Sequence, residues 1–165
     1  MFSSTRSLAA GLIALMLGFS ANATEVRPAP SNQQMDRLSE MFTWWNQAMK
    51  TPGGFTEEAF AKYFTDDAPL VIDGIEVMRS PAGWAQRFQA IQAATDAVEI
   101  VVPFRYSFQQ GDRIYTYHII RSRAAGKVDC MLAAGHADLE HGMISRVTLV
   151  RASIDPASDP DCWKE

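Results

Sequence analysis

From Val98 onward the apolar residues recur at every second position, and no helical period interrupts them before the C-terminal tail. Val98, Ile100, Val102, Phe104, Tyr106 and Phe108 share one face of the first run, with Glu99, Arg105, Ser107 and Gln109 on the other. A period of two belongs to strands, whose successive side chains point to opposite faces. Gly111-Asp112, Ala125-Gly126 and His141-Gly142 supply turns between the runs. The spacing therefore predicts four long antiparallel strands: one from Val98, then Arg113–Arg123, Lys127–Leu139 and Met143–Ile154, before Asp155-Pro156 ends the sheet. A parallel α/β fold is excluded, since parallel neighbours need a long crossover between them.

The helical signals come earlier. Ser31-Asn32 can cap a helix running to about Lys50, with Met35, Leu38, Met41, Phe42, Trp45 and Met49 at amphipathic spacing. Thr51-Pro52-Gly53-Gly54 stops it. Thr56-Glu57-Glu58 starts a short second helix with Phe60, Tyr63 and Phe64 on one side. Asp73-Gly74 joins two short apolar runs, Pro69–Ile72 and Ile75–Met78, as a tight hairpin. Ser80-Pro81 opens a third helix to about Ala94, with Trp84, Phe88 and Ile91 along its buried stripe. Helices first and strands last imply α+β, three helices packed on one face of a mainly antiparallel sheet.

The first twenty-three residues have the parts of a cleavable signal peptide. Arg6 gives the positive start, Leu8 to Phe19 the apolar run, and Ala21-Asn22-Ala23 the small-x-small cleavage pattern. The run is too short for a spanning anchor of about 20 residues, so the expected product begins after Ala23 and is periplasmic or secreted, without a stable membrane anchor. Residues 24–30 then form a linker, 31–154 a single domain and 155–165 a tail. With 15 basic and 19 acidic residues and no basic block, the chain lacks the footprint of a nucleic-acid binder. Cys130 and Cys162 are its two cysteines. In an oxidising compartment a disulfide is the default for such a pair; a buried free thiol at Cys130 is the alternative. Neither zinc spacing nor a C-x-x-C motif is present, so no metal or cofactor is expected.

The ordered set Phe64-Thr65-Asp66-Asp67-Ala68, Val71-Ile72-Asp73-Gly74-Ile75, Ser80-Pro81-Ala82-Gly83-Trp84 and Glu140-His141-Gly142-Met143-Ile144 resembles the nuclear transport factor 2-like superfamily, over nearly all of Asn32 to Ile154. That superfamily includes ketosteroid isomerases, SnoaL-like polyketide cyclases and scytalone dehydratase. The resemblance implies a cone-shaped, cystatin-like roll: a strongly curved sheet wraps the helices on its concave face and leaves a pocket at the wide end. It also implies where isomerase chemistry would sit, and there the sequence departs from the pattern. The general-base aspartate falls on Ile72, the oxyanion-binding aspartate on about Ala134, and the oxyanion tyrosine near Trp44 or Trp45. Asp73 is accounted for by the hairpin turn.

The candidate proton carriers are His118 and His136, with Asp138 and Arg151 as charged partners. His118 alternates with Ile114, Thr116 and Ile120, which points it inward; His136 shares parity with Leu132 and Ala134 and could line the same cavity. Equally, both could be core-edge histidines satisfied by hydrogen bonds. Trp44, Trp45, Phe60 and Tyr63 could floor an apolar pocket, joined by Ile72, Trp84, Phe88 and Phe104 and, on the strands, by His118, Ala134 and Val147. At helical spacing the aromatics serve equally as ordinary core. Three functions follow. One is an exported protein holding a small apolar or amphipathic molecule. The second is a lyase or isomerase using a pocket histidine. The third is an interaction module on the outer sheet face, where Tyr115, Tyr117 and flanking arginines suit a homodimer.

Overall fold

The computed structural model describes residues 35–164; the leader, its cleavage site, the linker and Ser31-Asn32 lie outside them. Helix α1 spans Arg37–Met49 and is capped by Asp36, whose carboxylate accepts from the Ser39 backbone N–H at 2.9 Å. The cap is thus Asp36 rather than Ser31-Asn32, because its carboxylate satisfies a donor of the first turn directly. Helix α2 (Glu57–Ala61) is capped by Thr56, and α3 (Ser80–Ala94) carries Pro81 in its first turn.

Strands β1 (Leu70–Ile72) and β2 (Ile75–Met78) form the expected hairpin. Asp73 and Gly74 both have positive φ, 52° and 83°, as a two-residue turn of this hand requires. The long strands are β5 (Arg113–Ala124), β6 (Lys127–Glu140) and β7 (Met143–Ser153). The first predicted long strand is instead two, β3 (Ala97–Ile100) and β4 (Tyr106–Gln110), both paired with β5. The sheet order is β2-β1-β7-β6-β5-β3, antiparallel throughout except β1 beside β7, and β4 also pairs with β5.

The break between β3 and β4 corrects the single-face reading of Val98 to Phe108. Pro103 has no N–H to give the ladder. The six steps from Ile100 to Tyr106 face only three on β5, from Ile120 to Tyr117. An odd excess reverses the pleat. Ile100 is buried on the inner face, while Tyr106 and Phe108 are 67% and 61% exposed on the outer one.

The helices fill the concave face with aromatic rings. Trp45, Phe55, Phe60, Phe64, Trp84 and Phe88 form a continuous cluster, with Phe64 and Trp84 stacked at 4.2 Å. Two buried polar groups tie this layer down. The Trp84 indole N–H donates to the Ala68 carbonyl at 3.0 Å, and the Asn46 amide both donates to the Ile100 carbonyl and accepts from its N–H. Asn46 thus treats β3 as a strand neighbour would, fixing α1 against the sheet.

The tail folds back over the outer face. Cys130 and Cys162 form a disulfide, buried with Ile119 and flanked by Val101, Leu132 and Ile154. Arg105 pairs with Asp159 and Asp161, and the Trp163 ring lies under the guanidinium groups of Arg121 and Arg123.

Gly135 sits on β6 where the β7 backbone leaves no room for a side chain. A Cβ there would lie 2.7 Å from the Leu149 Cα and would strike the Thr148 carbonyl oxygen. Gly135→Ala is expected to cost about 1–3 kcal/mol, the usual range for forcing an extra carbon into packed structure. Gly83→Ala, in α3 where a Cβ would make only ordinary contacts at 3.8 Å with Met78 and Ser80, is expected to stabilise by up to about 1 kcal/mol through helix propensity. Urea unfolding of both variants checks the contrast; equal effects would remove Gly135 from this role.

Candidate functional site

A cavity of about 200 Å³ lies between the helix layer and the inner face of the sheet. Its floor is buried and mostly apolar: Phe42 and Trp45 from α1, Trp84 from α3, Leu70 and Ile72 from β1, Ile100 from β3, and Val147 and Leu149 from β7. Its rim is more open and more polar, with Arg87, Ile91 and Thr95 on the helix side and Ser122, Met131 and Arg151 on the sheet side. No Asp or Glu is among the lining residues.

His118 is the polar group of the floor. Only 2% of the residue is exposed, and neither ring nitrogen has a hydrogen-bond partner among the described residues. Phe42 and Phe104 flank the imidazole at 5.9 and 5.0 Å between ring centroids. Burial pushes its pKa down from 6.5 to about 4, since an apolar wall disfavours the charged ring. At neutral pH the ring is therefore neutral, with one nitrogen donating and one accepting. The Trp45 indole N–H, in the same lining, is also buried without a partner among the described residues. Each unpaired buried group costs about 1–3 kcal/mol. Native interiors keep few such groups, and here two residues of one cavity carry three.

His136 is elsewhere. In the β5–β6 ladder Tyr115 faces His136 and Tyr117 faces Ala134, whereas His118 faces Ala133. Directly paired residues share a face, so Ala134 and His136 belong to the outer surface, in an open groove of about 460 Å³ with Tyr106, Phe108, Tyr115 and Tyr117. This corrects their assignment to the pocket. His136 does meet a carboxylate, Asp138 at 3.8 Å, but on the face away from His118, and Asp138 is held by Arg113 at 2.5 Å. Partial burial, with help from the Arg113 guanidinium, lowers the His136 pKa. The two histidines cannot serve one site.

Four more predicted lining residues lie outside the cavity wall. Trp44 and Tyr63 stack on each other at 5.3 Å, half-buried at the outer side of the helices, with the Arg37 guanidinium over the Tyr63 ring. Phe60 belongs to the aromatic core and Phe104 backs His118. Helical periodicity places a residue on a buried stripe without saying whether that stripe meets a neighbouring helix or a void. Trp45, Ile72, Trp84, Phe88, His118, Val147 and Arg151 do converge on the cavity. Arg151 reaches it beside Asp73, whose carboxylate accepts from the Arg151 backbone N–H at 2.9 Å and from its guanidinium at 3.4 Å. Sequence reasoning missed Arg87, Ser122 and Thr95 at the rim. The position of His136 was recoverable: the two-residue turn Ala125-Gly126 pairs Ala124 with Lys127, and counting outward sets Tyr115 opposite His136.

Three helices packed with a large, curved and mostly antiparallel sheet are shared with known structures. The chain has the nuclear transport factor 2-like fold. An NTF2-like protein of unknown function from an Exiguobacterium species superposes with a TM-score of 0.56 at 19% identity, over 72% of this chain and 98% of that one. A candidate polyketide cyclase from Acidithiobacillus ferrooxidans gives 0.55 at 16% identity, over 72% and 90%. A Catenulispora acidiphila protein with a ketosteroid isomerase-like fold, in complex with trimethylamine, gives 0.54 at 15% identity, over 67% and 83%. No protein-family profile and no curated protein matches the sequence. At these identities the likeness concerns the fold, which hosts many unrelated functions.

The unfolded chain takes up a proton on His118 near pH 6.5, whereas the native chain resists it down to about pH 4. Native stability contributed by this residue is therefore complete above pH 6.5 and falls as the pH drops toward 4, by about 2 kcal/mol at pH 5. Thermal melts at pH 7 and pH 5 check this. Wild type is expected to lose more stability than His118→Leu over that interval, and identical losses would contradict a neutral, buried imidazole.

Proposed function

We propose that this chain is an exported small-molecule-binding protein whose ligand occupies the cavity between the helix layer and the sheet. One observation carries the reading: the floor of an apolar cavity holds an imidazole and an indole N–H with no hydrogen-bond partners among the described residues. Such groups are stabilised by a molecule that brings its own polar atom to them. The cavity limits the size of that molecule. An engineered cavity of about 150 Å³ accommodates benzene, so about 200 Å³ accommodates one ring with short substituents rather than a fused steroid.

The lyase or isomerase reading in its histidine-pair form is set aside, because His118 and His136 occupy opposite faces. His118 alone, neutral and without a carboxylate partner, suits hydrogen bonding better than proton abstraction at neutral pH. The cyclase description of one structural relative is compatible with a cavity of this kind and adds no residue to it.

Binding is measured through melting temperature and tryptophan emission, since Trp45 and Trp84 line the cavity. Benzyl alcohol and phenol are expected to raise the melting temperature by several degrees at saturation; a ligand at one hundred times its Kd adds about 2.7 kcal/mol. His118→Leu should weaken this response, and Val147→Phe, which fills the cavity, should abolish it. A panel of single-ring compounds that leaves wild type unshifted would end the binding reading.

Export rests on the leader and is supported by the Cys130–Cys162 bond, since such bonds persist in oxidising compartments. Expressed in a bacterial host, the mature chain is expected to begin at Thr24 and to be recovered from the periplasmic fraction with both thiols blocked. Intact mass spectrometry checks both points; a chain that retains residues 1–23 would contradict export.

A further inference from the structure

The rim of the cavity carries two guanidinium groups and no carboxylate of its own. Arg87 stands on α3 and takes part in no ion pair or side-chain hydrogen bond among the described residues. Arg151 stands on β7, on the opposite wall. Its pairing with Asp73 is long, 3.4 Å from one terminal nitrogen, and leaves most of its five N–H donors unused. Asp73 is outside the lining and offsets one of the two charges. The mouth of an otherwise apolar cavity is therefore net positive.

The ladder also fixes how this charge lies relative to the floor. Arg151 faces Ala133 on β6, and Ala133 faces His118 on β5. The two polar residues are thus at one level of the inner face, separated by two strand spacings, about 10 Å between backbones. One end of the cavity presents neutral donors and an acceptor, and the other a pair of forked cations suited to a planar carboxylate.

Resting on the binding reading above, we infer that the ligand is a small monocyclic carboxylate: its ring lies against the apolar floor, its carboxylate sits between Arg87 and Arg151, and a hydroxyl or carbonyl at the far end meets His118. The competing account is that the arginine stems merely cover apolar surface while their heads remain in water. That account gives the rim no preference for an anion.

The test compares 4-hydroxyphenylacetate with its neutral isostere, 4-hydroxyphenylacetamide, by calorimetric titration of the mature chain at low ionic strength. The acid is expected to bind at least tenfold more tightly than the amide. That preference should shrink in 0.5 M NaCl, fall in Arg87→Gln and in Arg151→Gln, and vanish in the double variant, while amide binding persists. Phenylacetate, lacking the hydroxyl, should bind several-fold more weakly than its hydroxylated counterpart in wild type but not in His118→Leu. Equal affinity for acid and amide in wild type would overturn the carboxylate assignment and leave the cavity reading standing. Absence of binding by acid, amide and the neutral single-ring probes together would overturn both. Acid binding that survives Val147→Phe would place the anion outside the cavity and overturn the assignment.

Discussion

At Gly135, in the middle of β6, a Cβ would strike the Thr148 carbonyl oxygen and lie 2.7 Å from the Leu149 Cα of β7, so the pairing of these two central strands admits only glycine at this position. Glycine removes the obstacle in the middle of an otherwise continuous strand, where it commonly marks a close approach of another backbone. Leu149, the residue paired with Gly135, also lines the cavity, so this close approach borders the void.

The helix layer holds its distance from the curved sheet by specific bonds as well as by packing. The aromatic cluster supplies bulk, but rings alone can slide. Asn46 on the Ile100 backbone and Trp84 on the Ala68 carbonyl anchor α1 and α3 at separate points of the wall. Both are polar groups satisfied inside the core, where an unpaired amide would be costly. His118 lies in the same interior and lacks such a partner among the described residues, so it does not serve as another anchor.

The outer face follows a different logic. Its upper part is closed by the chain's own tail, held by the disulfide and by arginine pairs with Asp159 and Asp161. Its lower part leaves Tyr106, Phe108 and Val150 in solvent. The histidine–carboxylate contact of His136 and Asp138 belongs to this surface, so its chemistry is separate from that of the cavity.

Much of this was legible in the sequence. Period-two runs and glycine turns gave the three long strands nearly to the residue, because alternation reports directly on a sheet with one buried face. The two-residue turn at Ala125-Gly126 also contained the answer for the histidines: it fixes register, and register puts His118 inside and His136 outside. Two other placements were not available from pattern. Between Ile100 and Tyr106 the chain carries three residues more than its partner strand, and this turns Tyr106 and Phe108 outward. At Asp138/Leu139 the β6–β7 register shifts by one residue, and this brings Arg151 to the inner face. Each is an irregularity in the pairing of two strands, and one strand's sequence does not record how its neighbour slips. Alternation determined that there would be two faces; the slips in the tertiary structure decided which side chains reached the cavity.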